Sequence, residues 1–122
     1  MNEMRMTDLA TQFAAICGAA HVQRGEGIDT RYQSDWLGTK ESSPAIVVRP
    51  GETAEVAAVM KLCAETRTPV IPFGGNSGLS GGTVARAKDQ VVLLSLERMN
   101  RVRRIERAGM YMVAEAGCII QN

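Results

Sequence analysis

The residues with the clearest chemical purpose run PVIPFGGNSGLSGGT from position 69 to 83. An apolar stretch leads into five glycines, interleaved with an asparagine, two serines and a threonine. Glycine lacks Cβ, so it reaches positive φ at little steric cost and lets a ligand approach the main chain closely. Successive N–H groups in such a loop converge on one point and form a concave anion site. The spacing predicts a phosphate-bearing ligand held by backbone. Pro72 fixes φ and removes a donor just before the turn, which stiffens the approach. Asn76 is a residue type that tolerates positive φ, and Ser77 adds a hydroxyl donor.

The residues after the loop narrow the kind of phosphate site. A nucleoside triphosphate loop ends in Gly-Lys-Ser/Thr, whereas this one ends in Gly81, Gly82 and Thr83 with no lysine. A Rossmann loop opens directly into a helix whose N-terminus carries the pyrophosphate. Here residues 84–89 lead instead to VVLLSL at 91–96, a β-branched, apolar run that reads as a buried strand. That strand–loop–strand setting disfavours Rossmann, even though Glu97 lies at a suitable distance downstream. A flexible Gly/Ser linker is the plain alternative. The apolar runs bracketing the loop argue against it.

The elements that must position this loop follow from periodicity. Thr7 and Asp8 can cap a first helix with Leu9, Phe13, Ile16 and Cys17 on one face and Gly18 as its stop. Residues 21–43 read as polar and irregular apart from Tyr32, Trp36 and Leu37. Residues 45–49 form a buried strand ended by Pro50 and Gly51. Thr53 is expected to cap a second helix running to Arg67, with Val56, Val59, Met60 and Cys63 as its core stripe. Glu55 and Arg67 would complement its dipole. Pro69 ends it and Val70 begins the next strand. Strand–helix–strand at this length predicts a βαβ unit with parallel pairing. Further strands are expected at 90–96 and 111–115, with a shorter one at 102–106. The glycine loop then sits at the carboxyl end of a strand, where open α/β sheets place ligands.

Composition excludes several classes. The chain has 122 residues, about one domain. Its formal net charge of +1 gives no case for nucleic acid or an anionic membrane surface. No apolar run approaches the roughly 20 residues that cross a bilayer, and residues 1–5 lack the apolar core of a secretory signal. Cys17, Cys63 and Cys118 are too few and too scattered for a zinc or disulfide framework. A reducing cytoplasm, extending to a peripheral position at the inner membrane face, is the expected location. The lone His21 reads as a polar end-group and Trp36 as a packing aromatic. Arg98, Arg101, Arg103, Arg104 and Arg107 read as a solvated hairpin face, with Arg98 and Arg101 binding acidic neighbours in the full protein. Cys118 reads as packing, since nothing nearby argues for a reactive thiolate. The sequence shows no carboxylate pair, Ser/His/Asp set or metal-ligand cluster.

Residues 70–82 resemble the FAD pyrophosphate loop of the vanillyl-alcohol oxidase and p-cresol methylhydroxylase superfamily. Within it the resemblance is to the D-2-hydroxyacid dehydrogenases, which include D-2-hydroxyglutarate dehydrogenase, D-lactate dehydrogenase and the glycolate oxidase large subunit. Four more stretches agree in the same order: residues 32–38 with Asp35, Trp36 and Leu37; 48–53; 94–102 with Arg98, Met99, Asn100 and Arg101; and 115–118. The 98–101 element leans toward the hydroxyglutarate side. The resemblance implies an α+β fold, a PCMH-type FAD-binding domain with a βαβ-containing first subdomain and the start of a second. Residues 1–30 would be a helix and lead-in, and 31–122 a partial domain of a longer, truncated flavoprotein. It assigns FAD contacts to Pro72, Gly74, Gly75, Asn76, Ser77, Gly78, Leu79, Gly81, Gly82 and Thr83, and to Ala116, Gly117 and Cys118. It also implies a 2-hydroxy acid substrate, a quinone, cytochrome or flavoprotein electron acceptor, and a homodimer. The catalytic base and any metal ligands would lie beyond residue 122. Two other readings stay open: a non-catalytic remnant with FAD affinity only, and an oxidase of another alcohol or sugar.

Overall fold

The computed structural model describes residues 2–34, 38, 41–76 and 82–119. Helix α1 spans Asn2–Cys17 and is followed by strand β1, Val22–Arg24. Strand β2 is Ile46–Val48, helix α2 is Thr53–Glu65, and strand β3 is Val70–Phe73. Strand β4 is Val92–Ser95, and β5 (Val102–Glu106) pairs with β6 (Tyr111–Ala114) in an antiparallel hairpin. The main sheet has the order β1-β2-β4-β3. β4 is parallel to both of its neighbours, and β1 is an antiparallel edge.

Alternation along the strands divides the core in two. Ile46, Val48, Val92 and Leu94 face α1 and α2, meeting Met6, Leu9, Phe13, Cys17, Val59 and Cys63. Val47 and Leu93 face the other way and pack with Ile28, Tyr32 and Phe73. Both faces of the central strands are thus covered, as runs of β-branched and apolar residues require. Tyr32 meets Phe73 edge to face, with ring centroids 5.1 Å apart.

Several expectations are corrected. Helix α1 begins well before Thr7, because buried Met6 extends the apolar stripe back by a turn. It stops at Gly18 as expected, where φ is 94° and the N–H donates to Ala14 O at 2.8 Å. Residues 21–43 are not wholly irregular, since Val22–Arg24 pairs with β2. Thr53 is the first helical residue and not the cap; Glu52 takes the cap position in extended conformation with no side-chain bond. The Glu55 carboxylate instead accepts from Gly51 N–H at 2.7 Å. Met60 is 43% exposed, off the α2 core stripe. The helix ends at Glu65, not Arg67. Arg67 sits in the left-handed region (φ 53°) while Thr68 N–H reaches back to Cys63 O at 2.8 Å, a Schellman closure with arginine in the usual glycine position. The expected βαβ strands are parallel but not adjacent, because β4 lies between β2 and β3.

Buried Cys17 and Cys63 are free thiols that burial pushes up to about 11. Cys118 is part-exposed. At about pH 8 the native protein is expected to release thionitrobenzoate from Ellman's reagent at Cys118 alone, and at all three cysteines after unfolding. Rapid labelling of all three in the native state would contradict this core. Among the described residues, no helix is long and apolar enough to cross a membrane.

Candidate functional site

Because β2, β3 and β4 are parallel, their carboxyl ends emerge on one edge of the sheet. Arg49 follows β2, Gly74 follows β3 and Glu97 lies just past β4. A cleft of about 580 Å³ opens there, lined by Arg31, Arg49, Gly74, Glu97, Asn100, Val102, Gly117, Cys118 and Ile119. A larger cleft of about 660 Å³ lies at the opposite ends of the strands, beside Arg24, Ala45 and Gln90. It contains none of the glycine-rich segment, so the smaller cleft is the candidate site.

The two sequence segments expected to touch a cofactor meet in this cleft. A Cβ on Gly74 would sit 3.5 Å from Ala116 O, and one on Gly75 would sit 3.7 Å from Ile119 Cγ1. Gly117 is buried against the turn after β4. A Cβ there would fall 1.8 Å from Leu96 O and 2.8 Å from Met99 O. Its N–H donates to Met99 O at 2.8 Å. Only glycine allows that approach.

Asn76 adopts φ 53°, the left-handed conformation expected of it. Its side chain ties two places together: Nδ2 donates to Ser34 O at 3.1 Å, and Oδ1 accepts from Thr83 Oγ1 at 2.7 Å. Thr83 therefore clamps the far end of the loop onto its start. Pro72 lies on edge strand β3, where a missing N–H costs the sheet least. Gly82 is exposed with open space around it. Ser77, Gly78, Leu79 and Gly81 lie outside the described residues, as do Asp35, Trp36 and Leu37. Ala116 is exposed, and Cys118 lines the cleft with its thiol 3.6 Å from Arg101 O. His21 stands apart from the cleft lining and accepts from Arg49 N–H through its carbonyl.

Sequence reasoning missed the polar groups of the cleft. Glu97 accepts from Tyr32 Oη at 2.5 Å and Ser95 Oγ at 2.8 Å, and pairs with Arg31 at 3.1 Å. Burial and the Glu97 bond push the Tyr32 phenol up, which keeps it a donor. The Tyr32 and Arg31 contacts join residues more than 60 positions apart, so no local pattern could announce them. Arg49 also lines the cleft.

Arg98, Arg101 and Arg103 find acidic partners within this chain, not in further sequence. Arg98 donates to Arg49 O at 2.7 Å and lies 3.8 Å from Glu55. Buried Glu115 accepts from Arg101 N–H at 2.9 Å, Arg101 Nε at 3.1 Å and Arg103 at 3.3 Å. The Arg101 side chain, then its main-chain N–H, hold the carboxyl down at about 2 against the ordinary 4.5. A depressed carboxyl contributes stability fully above about pH 4.5, and loses it as pH falls through about 2. Urea midpoints measured from pH 2 to 6 should therefore separate wild type from Glu115→Gln most at pH 6, and converge as pH falls. A gap that stays constant over that range would contradict this role.

Known proteins place the chain. A family model described as "FAD binding domain" matches residues 44–122. The chain is 32% identical over 116 residues to the probable mitochondrial D-2-hydroxyglutarate dehydrogenase of Oryza sativa, covering 95% of this chain and 20% of that protein. It is 32% identical over 111 residues to the mitochondrial D-2-hydroxyglutarate dehydrogenase of Arabidopsis thaliana, covering 90% and 19%. It thus spans about a fifth of the length of these relatives. In fold it resembles p-cresol methylhydroxylase, with a TM-score of 0.78 at 21% identity over 92% of this chain and 22% of that one. The glycine segments at the carboxyl edge of the sheet, the matched model and the shared fold agree: this chain belongs to the FAD binding domain family.

Proposed function

We propose that this chain holds the diphosphate of FAD for a flavin-dependent oxidoreductase that converts a D-2-hydroxy acid to the 2-oxo acid. The carrying observation is the meeting of Gly74 and Gly75 with Ala116–Ile119 at the carboxyl edge of the parallel strands. The cradle fits the group: Cβ-free main chain faces a cleft, and side chains there would fill space a phosphate needs.

The roles divide by segment. Gly74, Gly75 and Asn76, with Ser77, Gly78, Leu79 and Gly81 continuing the loop, offer main-chain N–H groups to the phosphates. Gly82 and Thr83 complete it, and the Thr83–Asn76 bond holds its ends together. Pro72 sets its approach. Ala116, Gly117 and Cys118 form the facing wall. When bound, FAD supplies the ring that accepts a hydride from the substrate Cα, and the protein's task is to place it. None of these residues is given a catalytic role; all of them position the cofactor.

The hydroxy acid reading rests on the likeness at residues 98–101 and on the named activities of the relatives. A quinone, cytochrome or flavoprotein would take the electrons onward. Oxidation assays on the full-length enzyme with paired D- and L-2-hydroxyglutarate and lactate test it, read by reduction of an artificial acceptor. Turnover of the D-enantiomers is expected. Turnover confined to L-enantiomers, or to phenols or sugars, would overturn the substrate assignment and leave the FAD site standing.

A further inference from the structure

Arg49 stands where β2 enters the candidate cleft, and its main chain is pinned from both sides. Its N–H donates to His21 O at 2.9 Å, and its carbonyl accepts from Arg98 at 2.7 Å. Fully buried Pro50 comes next in the chain. The side chain therefore departs from a fixed point. Its Nε is buried with no hydrogen-bond partner among the described residues. The other cations nearby are matched: Arg31 by Glu97 at 3.1 Å, and Arg98 by Glu55 at 3.8 Å. No carboxylate among the described residues pairs with Arg49.

A buried guanidinium N–H without an acceptor is costly, and the cost is relieved when a ligand brings one. The planar fork of arginine suits phosphate oxygens, which it can bind in bidentate fashion. A carboxylate would suit the same fork. The diphosphate is favoured because Gly74, where the glycine segment begins, supplies another wall of this cleft, and the main-chain N–H groups of such a segment form phosphate-holding surface.

We infer that Arg49 is a side-chain anchor for the cofactor diphosphate, working beside the main-chain N–H groups of the glycine segment. The inference rests on the proposed FAD-binding role of this chain. It predicts that the site discriminates FAD from phosphate-free flavin partly through this one residue.

The test is titration of the intact protein with FAD and with riboflavin, followed by flavin fluorescence, for wild type, Arg49→Gln, Arg49→Lys and Gly74→Leu. Arg49→Gln is expected to weaken FAD by about 10- to 100-fold, the range of a charge-assisted hydrogen bond. Riboflavin affinity and the ligand-free unfolding midpoint should stay near wild type. Arg49→Lys should recover part of the loss, since it keeps the charge without the fork. Three results would overturn the inference. FAD could bind Arg49→Gln within about twofold of wild type. FAD and riboflavin could weaken together with a lowered unfolding midpoint, which marks a structural role. Or FAD binding could be unchanged while the loaded enzyme loses affinity for a 2-hydroxy carboxylate, which marks a substrate reader. If wild type binds FAD and Gly74→Leu does not, while Arg49→Gln does, this inference alone falls. If wild type binds no FAD, the proposed FAD-binding role falls with it.

Discussion

Replacing Gly117 with alanine is expected to destabilise the protein by about 3 kcal/mol, at the upper end of the cost of overpacking. The added methyl would fall 1.8 Å from Leu96 O and 2.7 Å from Leu96 C. Both are main-chain atoms, so no side-chain rotation can relieve the collision. Movement of either segment would also strain the Gly117 N–H bond to Met99 O. The natural control is Gly27→Ala, where a Cβ meets nothing within 4 Å. Urea unfolding of both variants checks this: a large drop in midpoint for Gly117→Ala, and little change for Gly27→Ala. Equal midpoints would mean that the turn after β4 is not packed as described.

The second large effect separates binding from folding. Gly74→Leu should fold with a midpoint close to wild type, because its Cβ meets only Ala116 O, at an ordinary 3.5 Å. The rest of the leucine must then occupy the cleft that Gly74 lines. FAD affinity is expected to fall about 100-fold, equivalent to about 2.7 kcal/mol. Flavin fluorescence titration reads the affinity, and urea unfolding reads the fold. A leucine variant that binds FAD as well as wild type would remove Gly74 from the site. One that fails to fold would show that this position is structural. Gly74 and Gly117 are thus both glycines of the cleft, with opposite expected signatures.

Much of this arrangement is legible in residue order. The apolar runs at 45–49 and 91–96 and the proline-started run at 70 announce β2, β4 and β3, because buried parallel strands need continuous β-branched residues. The glycine segment falls at the carboxyl end of β3, as its bracketing strands predict. Asn76 takes the positive φ its residue type permits.

The illegible part is non-local. Periodicity says nothing of sheet order, so the placing of β4 between β2 and β3 has no local signal. Strand β1 is three residues long and contains Gln23 and Arg24; only its partner β2 makes it a strand. Met60 fits the helical spacing of the α2 stripe, yet the packing of α1 decides which face is covered. The cleft polar groups behave likewise. Arg49 reads as the end of a strand, and only the fold brings it beside Gly74 and Gly117. Glu97 looks like a stray acid until Tyr32, Ser95 and Arg31 converge on it.

The most direct test of the central claim is an amide-resolved NMR titration of the protein with FAD. If the glycine loop forms the diphosphate cradle, the largest shifts will fall on the N–H groups of Gly74, Gly75, Asn76 and Thr83. Those of α1 and of Gly109, in the turn between β5 and β6, will stay in place. Shifts gathered instead around Arg24, Ser43 and Gln90, at the opposite ends of the strands, would contradict the account. So would a folded protein whose spectrum FAD leaves unchanged.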